Sequence, residues 1–208
     1  VRFSDTSASS TCQMVYDIIA ALGQGERIDA DAATCLYAGI LTDTGSFRFP
    51  STSAHTLRVA ADLLERGAVP HMIHAAIMED SSESRLRLLG FALFERMQVL
   101  PELGTTVIAL SKADLERFNY TPGDTEGLVN YGLSIRGIRL AAFFVERADA
   151  VKISLRSKGK LPVNEFLSAY FQGGGHSNAA GGQTNERLDA AVQRFMRELP
   201  AFITKHTT

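Results

Sequence analysis

The stretch Gly173-Gly174-Gly175-His176-Ser177-Asn178-Ala179-Ala180-Gly181-Gly182 sets five glycines around one histidine. Glycine gives up more conformational freedom on folding than any other residue, so three in succession must be offset by something only a bare backbone can do. Close approach to an anion is the leading chemistry. The apolar run Val163 to Phe171 before the glycines has helical spacing, and the small residues Ser177 to Ala180 are expected to open a new helical turn. Peptide N–H groups and a helix N-terminus would then meet at one phosphate. On this reading Gly173, Gly174, Gly175, His176, Ser177 and Asn178 all contact substrate.

Three further places could take part. Arg156, in Lys152-Ile153-Ser154-Leu155-Arg156-Ser157-Lys158, lies where a strand is expected to end, and a guanidinium there can fork onto a phosphate with Ser157 and Lys158 alongside, or the segment is a solvated basic turn. Arg136 and Arg139 add to that basic side with less positional specificity. Asp43, in Leu41-Thr42-Asp43-Thr44-Gly45-Ser46-Phe47, follows an apolar helix and precedes a glycine that can bend the chain to aim it. It suits a metal ligand, and equally a helix-end turn device. One carboxylate never makes a hydrolytic metal site, because Mn²⁺ and Mg²⁺ need several oxygen or imidazole ligands. Arg48, in Phe47-Arg48-Phe49-Pro50, could hold a phosphate or stack on a base, or be an exposed cation between core rings. His71 and His74 stand i, i+3 on a short helix without a nearby acid, and read with His55 as ordinary surface or core histidines.

These residues need elements to hold them. Ser9 or Ser10 can cap a helix from about Thr11 to Leu22, and Asp29 or Asp31 a second that ends at Thr42 to Gly45. Ser53 caps a third through Arg66, closed by Gly67, and Pro70 opens a fourth toward Met78. A long fifth helix is expected over roughly Ser82 to Val99. Beyond Pro101 the pattern changes to short strand-type runs at Thr105 to Leu110, Leu140 to Glu146 and Val151 to Arg156, with helix between the first two and after the third. The expected organisation is a first domain over 1–99, a linker at 100–104 where a proline and a glycine interrupt the pattern, and a second domain over 105–208.

Up to Leu103 the chain carries 8 Arg and no Lys against 13 acids, a net of −5, while the remainder nets +3. Such asymmetry suits an acidic part that collects cations and a basic part that collects phosphates, although surface drift would produce it too. Cys12 and Cys35 sit in apolar helical patterns without a CxxC, as buried free thiols of a reducing, cytoplasmic compartment would. No apolar run approaches the roughly 18 residues of a membrane span.

The ordered set Ser7-Ala8-Ser9-Ser10-Thr11, Gly39-Ile40-Leu41-Thr42-Asp43-Thr44-Gly45-Ser46-Phe47, Arg156-Ser157 and Gly173-Gly174-Gly175-His176 with Ala179-Ala180-Gly181 resembles the DHH phosphoesterase superfamily, and more narrowly its bacterial nanoRNase/pAp phosphatase branch. The resemblance covers nearly the whole chain. It implies an α/β protein: the helical remainder of an N-terminal α/β phosphoesterase domain, then a smaller α+β substrate-binding domain, with an active cleft between the two. It also implies two Mn²⁺ ions, with Asp43 as the last metal-binding acid and Arg156, His176 and the Gly173 to Gly175 backbone as substrate groups. The implied substrates are short oligoribonucleotides or 3′-phosphoadenosine 5′-phosphate (pAp). The family's Asp-His-His triplet, its Asp-x-Asp on an early strand and its upstream histidine do not occur here. The expectation is therefore a fragment in which those elements precede Val1, with one metal ion or none, inactive as a hydrolase but still binding nucleotide phosphate. A cyclic-dinucleotide phosphodiesterase, a RecJ-type single-strand exonuclease and a tRNA-binding module without hydrolase activity are the alternatives, and pairing into a homodimer stays open.

Overall fold

A computed structural model of the chain describes Asp5 and residues 8–206; Ser7 of the serine-rich run lies outside the described residues. The chain divides into two compact units, Val1–Ser81 and Ser82–Thr208. Moving the boundary back from Leu103 leaves the charge split unchanged, because residues 82–103 hold three arginines and three acids.

The described part of the first unit is helical: α1 (Thr11–Ala21), α2 (Ala30–Asp43), α3 (Ala54–Glu65) and α4 (Pro70–Met78). Each start follows from a residue that satisfies orphan N–H groups. Ser10 accepts from the Cys12 N–H, Asp29 from the Ala32 N–H, and Ser53 and Thr56 form a reciprocal capping box, while Pro70 has no N–H that needs an acceptor. Leu36, Ile40, Val59 and Leu63 close the core between them.

The second unit opens with α5 (Glu83–Phe91), which passes through one π-helical turn at Ala92–Arg96 into β1 (Met97–Leu100). The expected long helix therefore ends three residues early, at Arg96, with its last turn π-helical. The expected linker is no linker either: β1 pairs antiparallel with β2 (Thr105–Leu110), and Pro101 to Gly104 form the tight connection, with Gly104 at φ +56°. A proline and a glycine mark a turn between strands as readily as a domain boundary. α6 (Lys112–Arg117) and α7 (Leu128–Leu133) then cross to β3 (Leu140–Glu146), parallel to β2. β4 (Val151–Ser157), α8 (Val163–Tyr170), β5 (Gln172–His176), β6 (Ala179–Thr184) and α9 (Leu188–His206) complete a six-stranded sheet of order β1-β2-β3-β4-β6-β5.

Side-chain alternation splits this sheet between two cores. Leu140, Ala142 and Phe144 of β3 and Ile153 and Leu155 of β4 face α8 and α9, where Phe166, Phe195 and Phe202 fill the space. Ala141, Phe143 and Val145 face the other way, under Leu88 of α5, Leu115 of α6 and Leu128 of α7. Of that second cover, α7 also reaches β4. On β4 the residues of the same side are Lys152, Ser154 and Arg156, none of which belongs to a core.

Arg96 ties the π-helical turn to α6 through a two-pronged pair with Asp114, Nη2 to Oδ1 at 2.8 Å and Nε to Oδ2 at 3.1 Å. Burial pushes the Asp114 carboxyl up. The Arg96 guanidinium and the Ser111 N–H and hydroxyl outweigh burial and hold it below the usual carboxylate range. A depressed folded value gives stability that is complete above the unfolded value of about 3.9 and is lost as pH falls through the folded one. Asp114→Asn is expected to lower stability at pH 7 by about 2 kcal/mol. In thermal unfolding at a series of pH values, the gap to wild type should narrow below pH 4.

Candidate functional site

The glycine-rich stretch is a β-hairpin, not a loop that opens a helix. β5 and β6 pair from Gln172↔Gln183 to His176↔Ala179, turning at Ser177 and Asn178. The reason lies in what surrounds it: β4 offers β6 a full partner edge from Val151↔Thr184 to Arg156↔Ala179, and a strand needs such an edge more than it needs intrinsic propensity. Some of the glycines answer to packing. A Cβ on Gly173 would stand 2.6 Å from the Gly181 carbonyl oxygen and 3.0 Å from the Leu167 Cβ of α8. A Cβ on Gly175, at φ +139°, would stand 2.7 Å from the Ala179 oxygen. Gly181 is different, since the nearest atom to a Cβ there is 4.0 Å away. Its neighbours Ala180 and Gly182 face the α8 side, so Gly181 lies on the uncovered face.

Register then brings two of the expected groups together. Arg156 pairs with Ala179, and Ala179 with His176, so all three lie in one cross-strand row on that face. The next row is Ser154, Gly181 and Gly174. Arg156 and His176 thus stand two strand spacings apart, about 9.5 Å, on either side of an alanine and beside a floor with almost no side chains. The Arg156 guanidinium is half-buried and has no carboxylate within 4.0 Å among the described residues; its Nη1 donates to the Leu155 carbonyl at 2.9 Å. Burial lowers its pKa from the ordinary guanidinium value. A desolvated cation without a counter-charge favours an incoming anion. His176 is exposed on the same row.

Ser157 and Asn178 have other employment. The Ser157 hydroxyl donates to the Leu161 carbonyl at 2.6 Å and accepts from Asn178 Nδ2 at 2.8 Å, while Nδ2 also donates to the Gly159 carbonyl at 3.0 Å. The donors of both side chains are used within the fold, so they clip the hairpin turn to the end of β4 and do not offer protons to a phosphate. Ser177 is exposed at the turn, and its carbonyl accepts the Val163 N–H at the start of α8.

In the first unit, Asp43 is the last residue of α2 and is exposed. The Ser10 hydroxyl donates to its Oδ2 at 2.7 Å while accepting the Cys12 N–H at 3.1 Å. Sequence reasoning named Ser10 only as a cap and missed this bond, which no local spacing announces. Gly39 makes it reachable: a Cβ there would fall 2.1 Å from Cys12 Sγ, so α1 and α2 touch where glycine lies. Burial, then the nearby Asp43, pushes the Cys12 thiol up. Cys35 is exposed, against the expectation of a buried thiol, because it lies on the outer side of α2.

After Asp43 the chain makes a left-handed turn with Gly45, Ser46 and Phe47 at φ +56°, +60° and +63°. Two non-glycine residues in that region cost roughly 1–2 kcal/mol each. The turn is held by the Thr44 carbonyl, which accepts both the Arg48 and Phe49 N–H groups, and by the Thr44 hydroxyl, which accepts the Phe47 N–H. Arg48 is exposed and its Nε donates to the Gly45 carbonyl at 2.7 Å, so its guanidinium is partly engaged in the turn. His55 pairs with Asp17 at 2.8 Å, and His71 and His74 are exposed on α4. No group of three or more His, Cys, Asp or Glu that could hold a metal ion occurs among the described residues. Asp43 with Ser10 does not by itself fit a divalent ion.

Residues 103–204 match the DHHA1 domain. Over 203 residues the chain is 33% identical to the bifunctional oligoribonuclease and PAP phosphatase NrnA of Bacillus subtilis, covering 97% of this chain and 63% of that protein. The chain is homologous to NrnA-type DHH phosphoesterases over most of its length. A second NrnA, from Thermus thermophilus, is 32% identical over 206 residues, covering 97% of this chain and 59% of its own length. The crystal structure of an exopolyphosphatase-related protein from Bacteroides fragilis superposes with a TM-score of 0.94 at 35% identity, covering 99% of this chain and 60% of that one. The chain thus spans about three-fifths of the length of these relatives. Among the described residues, no helix is long and apolar enough to cross a membrane.

Proposed function

We propose that this protein is a metal-dependent phosphoesterase of nucleotides, acting on short oligoribonucleotides and on pAp, in which the second unit holds the substrate phosphate. The observation that carries this reading is the half-buried Arg156, without a carboxylate, in one row with His176 beside the bare Gly174 and Gly181 pair. The guanidinium supplies a two-pronged donor and fixed charge, His176 a ring N–H from the other side, and the glycine floor lets a phosphate approach peptide groups closely. The relatives named as oligoribonuclease and PAP phosphatase support the substrate class.

Asp43, held by the Ser10 hydroxyl, would be one ligand of a Mn²⁺ ion that would supply an activated water for hydrolysis. The described residues do not assemble the remaining ligands, and the 208-residue polypeptide is accordingly proposed to bind nucleotide phosphate without turning it over. Calorimetric titration with AMP, pAp and a dinucleotide, next to a Mn²⁺-supplemented hydrolysis assay, tests both parts. Binding of AMP or pAp without turnover is the expected result. Turnover at ordinary enzymatic rates of about 1 s⁻¹ or more would overturn the second part. Affinity for tRNA without affinity for AMP or pAp would overturn the first.

A further inference from the structure

A cavity of about 250 Å³ lies at the end of the sheet where β4 gives way to α8. Its apolar lining, Leu103, Leu161 and Ile203, packs against the core beneath α8 and α9, on the side of the sheet opposite Arg156 and His176. Its walls are fixed. The turn from Lys158 to Leu161 is held at the Gly159 carbonyl by Asn178 Nδ2 at 3.0 Å, and at the Leu161 carbonyl by the Ser157 hydroxyl at 2.6 Å. Arg139 sits beside the β1–β2 connection, since a Cβ on Gly104 would stand 3.5 Å from its Nε.

Arg139 and Lys160 line the cavity, and neither has a carboxylate within 4.0 Å among the described residues. Lys158 lines it too, but its Nζ is already spent at 2.6 Å on the Leu133 carbonyl of α7. His206, in the last turn of α9, supplies a third nitrogen. Its ring lies against Phe202 at 4.4 Å between centroids, and its Nε2 is buried without a hydrogen bond, with Glu165 Oε2 coming no nearer than 4.0 Å. A buried ring nitrogen without a partner is costly until something satisfies it. The C-terminal end of α9 contributes only about half a negative charge, too little to balance two cations.

These groups define the ligand. Its head is an anion, because Arg139 and Lys160 are uncompensated. A guanidinium, an ammonium and an imidazole N–H from three separate segments suit the three oxygens of a phosphomonoester better than the two of a carboxylate. Its body is apolar and short, since the volume falls below the roughly 300–1,000 Å³ of sites for drug-sized ligands, and a whole nucleotide does not fit. We propose that this cavity is a second anion site, separate from the phosphate face, for an organic phosphomonoester smaller than a nucleotide. The bound ligand would tie the β4–α8 turn to the end of α9.

The test titrates phenyl phosphate, benzoate and inorganic phosphate by calorimetry into Arg156→Met, which keeps the cavity while weakening the other face, and follows the His206 ring by NMR. Phenyl phosphate should bind, shift the His206 ring signals, and bind at least about tenfold more tightly than benzoate or inorganic phosphate. Adding R139Q/K160Q should cost about tenfold in phenyl phosphate affinity, while R139Q/K160Q alone leaves AMP affinity unchanged. His206→Phe keeps the packing on Phe202, removes the nitrogen, and should cost about fivefold. Absence of phenyl phosphate binding, affinity that neither R139Q/K160Q nor His206→Phe changes, or unmoved His206 ring signals would each overturn the proposal. Benzoate or inorganic phosphate bound as tightly as phenyl phosphate would overturn the ligand class. Equal AMP affinity in wild type and Arg156→Met would instead remove the reading of the Arg156 row and leave the cavity standing.

Discussion

Arg156→Met is expected to weaken AMP binding by about 30- to 100-fold, the equivalent of one charge-assisted contact of about 2–3 kcal/mol, while raising the melting temperature. The two effects have one cause. The guanidinium is half-buried, its pKa is lowered by burial, and no carboxylate offsets its charge. Without ligand it destabilises the folded state, so an apolar chain of similar length relieves that penalty. With ligand it is the main donor, and Met donates nothing. Titration and thermal unfolding of the same variant check both signs. A fall in melting temperature would make Arg156 a structural residue and remove the central support for the phosphate-binding face.

The second large effect separates the glycines by what each one faces. Gly173→Ala must place a methyl 2.6 Å from the Gly181 carbonyl oxygen and 2.8 Å from the Gly182 Cα. Both are backbone atoms with nowhere to go, and a loss of about 2–3 kcal/mol in stability follows. Gly181→Ala meets nothing nearer than 4.0 Å and has no positive φ to resist it. It should leave stability within about 0.5 kcal/mol of wild type. Its methyl nevertheless rises from the floor beside Arg156 and should cost about tenfold in AMP affinity. Comparable melting temperatures for the two variants would contradict the packing account. Unchanged AMP affinity in Gly181→Ala would contradict the role of the floor.

Much of this architecture is legible in the chain because its signals are local. Ser10, Asp29, Ser53 and Pro70 announce helix starts within a residue, since capping depends only on the next few peptide groups. The runs 105–110, 140–146 and 151–156 read as strands because apolar β-branched and aromatic residues fill them. What escaped depends on distant partners. Gln172 to His176 contains three glycines and becomes a strand only because β4 and β6 supply an edge. Met97 to Leu100 continues an apolar helical pattern until β2 claims it. For the site, the residue types gave Arg156 and His176, but only the register puts them in one row. Ser157 and Asn178 match a phosphate-binding motif by type, and only the hydrogen-bond partners reveal that their donors are already used.

The hairpin that carries the site is also an end of the sheet, with β5 outermost. An outermost strand ordinarily invites a strand from another molecule and is a common origin of aggregation. Here five residues, three of them glycine, offer a visiting chain almost no side chains to pack against, and the Ser168 hydroxyl already occupies the Gly173 carbonyl at 3.1 Å. Strand addition is rewarded mainly through cross-strand side-chain pairs. On the proposed reading, the bareness that admits a phosphate to this surface also leaves a visiting strand little to pack against.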